Sequence, residues 1–190
     1  MNVYDFDNTI YQGDSTVDFI FYCWRHDGRT LISLPRTAVC GLLYLLHVMP
    51  KRTFKQNLFH MFVFLDDRSG TLEAFVQSHK DRIKPWYRSM QQPDDLVISA
   101  SPQFLIERLC KVAGIRQVLA SPVDYATGRY QGMNCHGEEK VRRFREQFEN
   151  ARIGSFYSDS RSDAPLAKLA EKAYLVHGSS VKPWPIEAAE

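Results

Sequence analysis

A break in rhythm limits what this chain can fold into more than any other feature. A short apolar segment, Val3, Tyr4 and Phe6, runs directly into the polar cluster Asp7-Asn8-Thr9, with Gly13 beyond it as a joint. From about Asp14 to Arg88 the apolar residues recur at helical spacing, as in Val17, Phe19, Ile20, Phe21 and Trp24, and again in Phe54, Leu58, Phe59, Phe62 and Leu65. No segment of this block alternates with period 2. After Pro93-Asp94-Asp95, strand and helix take turns. Strands are expected at Leu96 to Ser99, Val118 to Ala120, Ile153 to Ser158 and Ala173 to Val176, and helices at Pro102 to Ala113, Glu138 to Phe148 and Ser162 to Leu169. A hairpin is expected through Ala126-Thr127-Gly128-Arg129, and the Pro-punctuated tail from Gly178 reads as loop. Such alternation implies an α/β fold, a parallel sheet covered by helices, interrupted after its first strand by a helical module.

At 190 residues the chain has room for one compact domain, or a core with an insert. With 24 Lys and Arg against 22 Asp and Glu, the net charge of +2 gives no support to nucleic-acid binding. The charge is uneven, however: residues 12–92 carry 11 basic and 7 acidic side chains, enough to draw in anions if they face one site. Cys23, Cys40, Cys110 and Cys135 form no CxxC pair, and the chain enters its first strand without a secretory leader, so a reduced cytoplasmic setting is expected. The six histidines show no zinc-ligand spacing.

In open α/β sheets ligands sit outside the carboxyl ends of the strands, so polar residues that end separate strands converge. Here those residues are Asp5, Asp7 and Thr9; Ser99, Ala100 and Ser101; Lys140 at a helix start; and Asp159 with Asp163. Several carboxylates beside one lysine and a hydroxyl suit a hard divalent cation and a phosphate, with Mg²⁺ held by carboxylates such as Asp5 and Asp159. A calcium loop starting at Asp5 is disfavoured, because its glycine position holds Ile10 and its twelfth position Thr16. Each element also has a plain structural reading. The Asp-x-Asp suits an Asx turn, Ser99-Ala100-Ser101 a helix cap before Pro102, Lys140 a solvated helix face, and Asp159/Asp163 a turn with helix-start charges.

Order and spacing across four strand ends favour the chemical reading, and in that order the chain resembles the haloacid dehalogenase superfamily, in its phosphoserine phosphatase-like subfamily IB. The resemblance rests on Asp5-Phe6-Asp7-Asn8-Thr9, on Ser99 after Leu96-Val97-Ile98, on Gly137-Glu138-Glu139-Lys140-Val141, and on Tyr157-Ser158-Asp159-Ser160-Arg161-Ser162-Asp163. It implies a doubly wound, Rossmann-like core of residues 1–11 and 93–190 with a helical C1 cap, residues 12–92, inserted after the first motif. It further implies a phosphatase: Asp5 as nucleophile, Asp7 as acid and base, Ser99 and the Ala100 N–H as phosphate ligands, Lys140 as charge neutraliser on nucleophile and phosphoryl group, and Asp5, Asp7, Asp159 and Asp163 as the Mg²⁺ set. Asp14, Ser99-Ala100-Ser101-Pro102 and Ser158-Asp159-Ser160 depart from the phosphoserine-specific motifs. Cys135 to Val141 and Tyr157 to Leu166 are similar to the phosphatidylglycerophosphatase C-like branch. The substrate is therefore expected to be a phosphorylated small molecule or a lipid phosphate. The alternative is a catalytically silent phosphate- or lipid-binding module on the same fold.

One stretch stands apart. Thr37 to Pro50 is apolar for 14 residues between Arg36 and Lys51-Arg52, too short for the roughly 20 residues of a membrane span. Two readings follow: a buried central helix of the cap, with Cys40, Leu42, Leu43, Leu45 and Leu46 inside, or peripheral contact with an anionic lipid surface. The aromatic residues Phe54, Phe59, Phe62 and Phe64 read as cap core.

Overall fold

A computed structural model describes residues 1–185 of the chain. Strand β1 (Asn2–Tyr4) is followed by a run of helices: α1 (Ser15–His26), α2 (Leu34–Leu45), α3 (Lys51–Phe59), α4 (Arg68–His79) and α5 (Pro85–Arg88). Then come β2 (Leu96–Pro102), α6 (Gln103–Val112), β3 (Gln117–Ser121), α7 (Glu138–Gln147), β4 (Ile153–Ser158), α8 (Ala164–Ala167), β5 (Ala170–His177) and β6 (Ser180–Pro183). Short 3₁₀ turns at Gly28–Ser33, His60–Phe64 and Lys80–Arg82 join the inserted helices.

The six strands form one sheet in the order β3-β2-β1-β4-β5-β6. All pairings are parallel except that of β5 with β6. β1 lies between β2 and β4, with Val3 opposite both Leu96 and Phe156. The chain thus builds outward to one side of β1 and then to the other, which makes the carboxyl end of β1 the topological switch point of the sheet. Period-2 alternation divides the core. Tyr4, Val97 and Tyr157 face the inserted helices, while Val3, Ile98 and Phe156 face Phe144 of α7 and Leu166 of α8.

Local chemistry sets the helix ends. Asp14 accepts from the Val17 N–H at 3.0 Å and starts α1, and Asp67 accepts from the Gly70 N–H at 2.8 Å to start α4. Phe19 and Phe75, on these two helices, stand edge-on at 5.0 Å and join Phe59 and Phe62 in the same buried cluster as Tyr4. Phe59 and Phe62 are therefore core, as expected. The two chain crossings between sheet and insert are stitched together: the Gln12 N–H donates to the Arg82 carbonyl and the Lys84 N–H to the Ile10 carbonyl, both at 2.8 Å.

Two expectations need correction, and a third is met in short form. The tail beyond Gly178 forms β6 rather than a loop as far as Pro183, and the rest of that tail, 186–190, lies outside the described residues. Pro183 is compatible with a strand here because β6 is an edge. The hairpin expected through 126–129 is present in short form: Val123 pairs antiparallel with Tyr130, the Asp124 N–H donates to the Arg129 carbonyl at 2.9 Å and the Gln131 N–H to that of Pro122 at 2.7 Å, and Asp124 takes the Thr127 N–H into the turn. The buried-helix reading of Thr37 to Pro50 also fails. Cys40 is the one buried residue of α2, whereas Val39, Leu42, Leu45 and Leu46 are 58–71% exposed.

Gly128 fixes the insert against the loop after β3. At φ +69°, it lies so close to α3 that an added Cβ would meet the Phe59 carbonyl oxygen at 2.2 Å. Replacing Gly128 by Ala is expected to cost about 2 kcal/mol or more through left-handed strain and the clash. By thermal denaturation the midpoint should fall by about 4–8 °C.

Candidate active site

β1 delivers Asp5 to the switch point: the Asp5 N–H continues the β4 pairing by donating to the Tyr157 carbonyl at 2.8 Å. Its carboxylate meets two donors. Lys140 Nζ lies 2.6 Å from Oδ1 and the Thr9 hydroxyl 3.4 Å from Oδ2. Lys140 stands in the first turn of α7, after Gly137 at φ +59°, and is 2% exposed. The same ammonium reaches Asp163 Oδ2 at 2.7 Å, and that oxygen also accepts from the Ser158 hydroxyl at 2.7 Å. The solvated-face reading of Lys140 is thereby excluded. A buried lysine between two buried carboxylates is an element of the site's interior.

Asp7 is held differently. Its Oδ1 accepts from the Ser15 N–H in the first turn of α1 at 2.7 Å, and its Oδ2 from the Ser101 hydroxyl at 2.5 Å. The Thr16 hydroxyl donates to Ser101 in turn at 2.9 Å. Ser101 thus points at a carboxylate and does not cap α6, whose start at Pro102 has no side-chain cap. Ser99, where the register of β2 with β3 shifts, accepts the Ser101 N–H at 3.1 Å and is 1% exposed. The Ala100 carbonyl, beside it, accepts from the Ser121 hydroxyl at 3.0 Å. Thr9 links the first motif to the last, because it reaches Asp5 while its Oγ1 accepts the Asp159 N–H at 2.9 Å.

Burial pushes the Asp5 carboxyl up to about 7, with Lys140 opposing and Asp163 and Asp7 adding to the rise. Burial, helped by Asp14, pushes Asp7 up to about 6 against the hydrogen bonds from Ser101 and Ser15. Asp159 is also raised, by burial and by Asp163. Lys140 is held above its ordinary value, because its two carboxylates outweigh the cost of burial.

The structure thus brings Asp5, Asp163 and Lys140 into one buried network, ties Asp159 to it through Thr9, and holds Asp7 beside it, half-buried, in a second set of contacts with Ser15 and Ser101. Sequence reading missed several participants. Thr16 and Ser15 lie in the insert, and their part in holding Asp7 is visible only once α1 docks on β2. Lys84 is 8% exposed, and its Nζ donates to the Asn8 carbonyl and, at 2.8 Å, to that of Gly178. It borders a cavity of about 260 Å³ together with Asn8, Gly13 and Asp159. Lys55 of α3 is lowered by burial and by Lys51, against the opposing charges of Asp14, Asp7 and Asp5.

Among the described residues no group of three or more His, Cys, Asp or Glu side chains stands ready as a metal cage. The donor chemistry nevertheless fits Mg²⁺, which uses one or two carboxylates and fills its octahedron with other oxygens. Asp5 Oδ2 has only the long contact from Thr9 among the described residues, and two buried carboxylates, Asp5 and Asp163, share one buried lysine while Asp7 acts on Asp5 and Asp159 lies near Asp163. That excess negative charge calls for a cation.

The family of haloacid dehalogenase-like hydrolases matches residues 3–168 of the chain. A histidinol-phosphatase from Neisseria meningitidis serogroup C (strain 8013) is 28% identical over 130 residues, which cover 58% of this chain and 54% of that protein; the chain thus matches about half of that relative's length. A protein of unknown function from Bordetella pertussis Tohama I has a similar structure, with a TM-score of 0.69 at 16% identity over 91% of this chain and 87% of the other. A probable phosphoserine phosphatase from Vibrio cholerae gives 0.62 at 8% identity, over 90% and 55%.

The raised carboxyls have a testable consequence for the metal-free protein. An aspartate whose folded pKa lies above its ordinary value near 3.8 contributes stability that is full below that value and lost as pH rises through the folded one. Denaturant titrations should therefore show stability falling by a few kcal/mol in sum between about pH 4 and pH 7. Added Mg²⁺ should oppose the loss. From the matched span, which carries Asp5, Asp7, Ser99, Lys140, Asp159 and Asp163 in order, this chain belongs to the haloacid dehalogenase-like hydrolase family.

Proposed function

We propose that the chain is a Mg²⁺-dependent phosphomonoesterase that works through an aspartyl-phosphate on Asp5. The observation that carries this reading is the pairing of two differently supported carboxylates. Asp5 is locked to Lys140, and Asp7 is held two residues away by Ser101 and the start of α1.

In the first step an Asp5 carboxylate oxygen attacks phosphorus, the new P–O bond forms, and the ester P–O bond breaks. Asp7, with a proton affinity lifted to about 6, gives its proton to the leaving alkoxide. In the second step Asp7 takes a proton from water, which displaces phosphate and returns Asp5 to its starting form. Lys140 offsets charge on the nucleophile and on the incoming phosphoryl oxygens. Ser99 presents a hydroxyl with its acceptor side already used by Ser101, so that its O–H is left to donate to phosphate together with the Ala100 N–H. Asp5, Asp159 and an Asp7 oxygen would hold the cation, with Asp163 alongside. When bound, it supplies charge neutralisation between an anionic nucleophile and an anionic substrate. Asp163 acts on Lys140 as well, since its Oδ2 is taken by that ammonium and by Ser158.

The helical insert, 12–92, acts in this reading as a cap over the site, and Lys55 favours an anionic substrate. That substrate is a phosphate monoester of a soluble metabolite or of a lipid. Likeness to a histidinol-phosphatase places small amino-alcohol phosphates among the first to be screened. The lipid arm would need the cap to meet a bilayer.

Hydrolysis of p-nitrophenyl phosphate tests the chemistry. Turnover should require Mg²⁺, stop with EDTA, and vanish in Asp5→Asn. Retained turnover in Asp5→Asn would reject the nucleophile. Asp7→Asn should lower kcat by about 10²- to 10⁴-fold with little change in metal affinity. Ser101→Ala, which removes one hydrogen bond to a charged group, should cost about tenfold or somewhat more. Asp159→Asn should instead raise the Mg²⁺ concentration needed for half-maximal rate, and an unchanged titration would remove it from the metal set.

A further inference from the structure

α2 is an amphipathic helix whose apolar side faces outward. On a helical wheel Val39, Leu42, Leu45 and Leu46 fall within an arc of about 120°, and all four are at least 58% exposed. The opposite side carries Cys40, which is buried, and Tyr44, whose ring stacks on Phe54 of α3 at 5.0 Å and 8°. The inward side is thus occupied by α3, and the exposed arc is continued by Ile32 before the helix and Val48 after it, 65% and 70% exposed. A face of this size on a soluble surface marks an interaction.

Charge identifies the partner. Between Asp27 and Asp66 the sequence contains no acidic residue at all, but it holds Arg29, Arg36, Lys51, Arg52 and Lys55. Arg29 is neutralised by Asp27 and Asp66 at 3.0 Å. Arg36, Lys51 and Arg52 are exposed and make no ion pair among the described residues. Arg36, in the first turn of α2, is held by two hydrogen bonds to Asn57 at 3.0 and 2.7 Å, and Arg52 donates to the Gly132 carbonyl at 3.0 Å. Neither contact neutralises the charge. A second copy of the chain seated symmetrically on this face would bring cation against cation with no acid to answer them. An anionic lipid surface answers both features, because its headgroups match Arg36 and Lys51 while its acyl boundary takes the leucines. No helix among the described residues is long and apolar enough to cross a membrane, so the contact is interfacial.

We propose that the outer face of α2 docks the helical insert onto an anionic membrane surface, with Val39, Leu42, Leu45 and Leu46 entering the interface and Arg36 and Lys51 against the headgroups, while Arg52 stays on the Gly132 carbonyl and the Tyr130 ring. The proposal does not depend on the catalytic reading, and the two are separable by experiment. The intact chain is sedimented with vesicles of phosphatidylcholine containing about one third phosphatidylserine, and with vesicles of phosphatidylcholine alone. Binding is expected to the anionic vesicles, much less to the neutral ones, and to weaken by about tenfold or more when salt rises from about 0.05 M to 0.5 M. Leu42→Gln with Leu45→Gln should lower the affinity by about tenfold or more. Both residues are exposed, so turnover of p-nitrophenyl phosphate in that variant should equal that of the unmodified chain. Failure to bind anionic vesicles at low salt overturns the proposal. So does a dimer, seen by light scattering, that the same two substitutions dissolve while vesicles remain unbound, since the face would then be a self-interface. Loss of turnover in the Asp5→Asn protein, with vesicle binding intact, supports both readings at once.

Discussion

Lys140 cannot stand where it does unless three distant parts of the chain are already in place. Its ammonium is 2% exposed and depends on Asp5 from the end of β1 and Asp163 from the turn after β4 to offset the cost of leaving water. Remove either carboxylate and a buried charge is left short of a partner, at a cost of about 3–5 kcal/mol. Remove the lysine and two buried carboxylates face each other. The consequence reaches beyond stability, because the ion pair sets the position of the Asp5 carboxylate to within one hydrogen-bond length. A nucleophile needs that placement if it is to stand near an in-line approach. Closure of the sheet and assembly of the reactive centre are thus one event in this fold.

Asp7 depends on a separate set of contacts, and the separation matters chemically. Two carboxylates two residues apart would be interchangeable in water. Here Asp5 is paired with a full positive charge, while Asp7 meets a hydroxyl and the N–H at the start of α1. Burial beside Asp163 and Asp7 outweighs Lys140 at Asp5, which is held at about 7, while Asp7 is held at about 6 against neutral donors. The group left without a cation is the one free to exchange a proton in the proposed reaction. Because Ser15 and Thr16 belong to the first inserted helix, Asp7 is held partly by the insert and partly by β2. Any movement of α1 relative to the sheet acts directly on Asp7, the group to which the proposed reaction gives the proton transfers. Lys84 ties the return crossing of the insert to the backbone at Asn8 and Gly178, and so limits that movement on the side of Asp159.

How much of this was legible in the sequence follows from the range of each interaction. β1, β2 and β4 were readable because each is a short apolar run ended by polar residues, and the helices of the insert because their apolar period is 3.6. The candidate site residues were readable because strand ends in a parallel sheet converge. The role of Ser101 was not readable, since a serine before a proline looks like a helix cap until Asp7 is seen 2.5 Å away across 94 residues. β6 was hidden by Pro183, which an edge strand accommodates and a central one would not. α2 misled for a deeper reason. Apolar residues at helical spacing show that a helix has an apolar face, and say nothing about whether the protein itself covers it.

The acid-free stretch between Asp27 and Asp66 joins these observations. Lys55, within it, feels the charges of Asp14, Asp7 and Asp5, and Arg36, on the helix of the exposed leucines, has no acidic partner among the described residues. A scattered surface charge pattern would need acids among these cations, since mixed signs limit self-repulsion and favour solubility. Their exclusion from both sides of the same helical pair is the pattern of a layer that mediates between two negative bodies. On the proposed readings, one of those bodies is the centre at Asp5 with an anionic substrate, and the other is the anionic surface against the outer face of α2. Positive potential on both sides of a thin layer also favours the approach of anionic phosphate monoesters along that layer, so the basic cap and the acidic centre need each other.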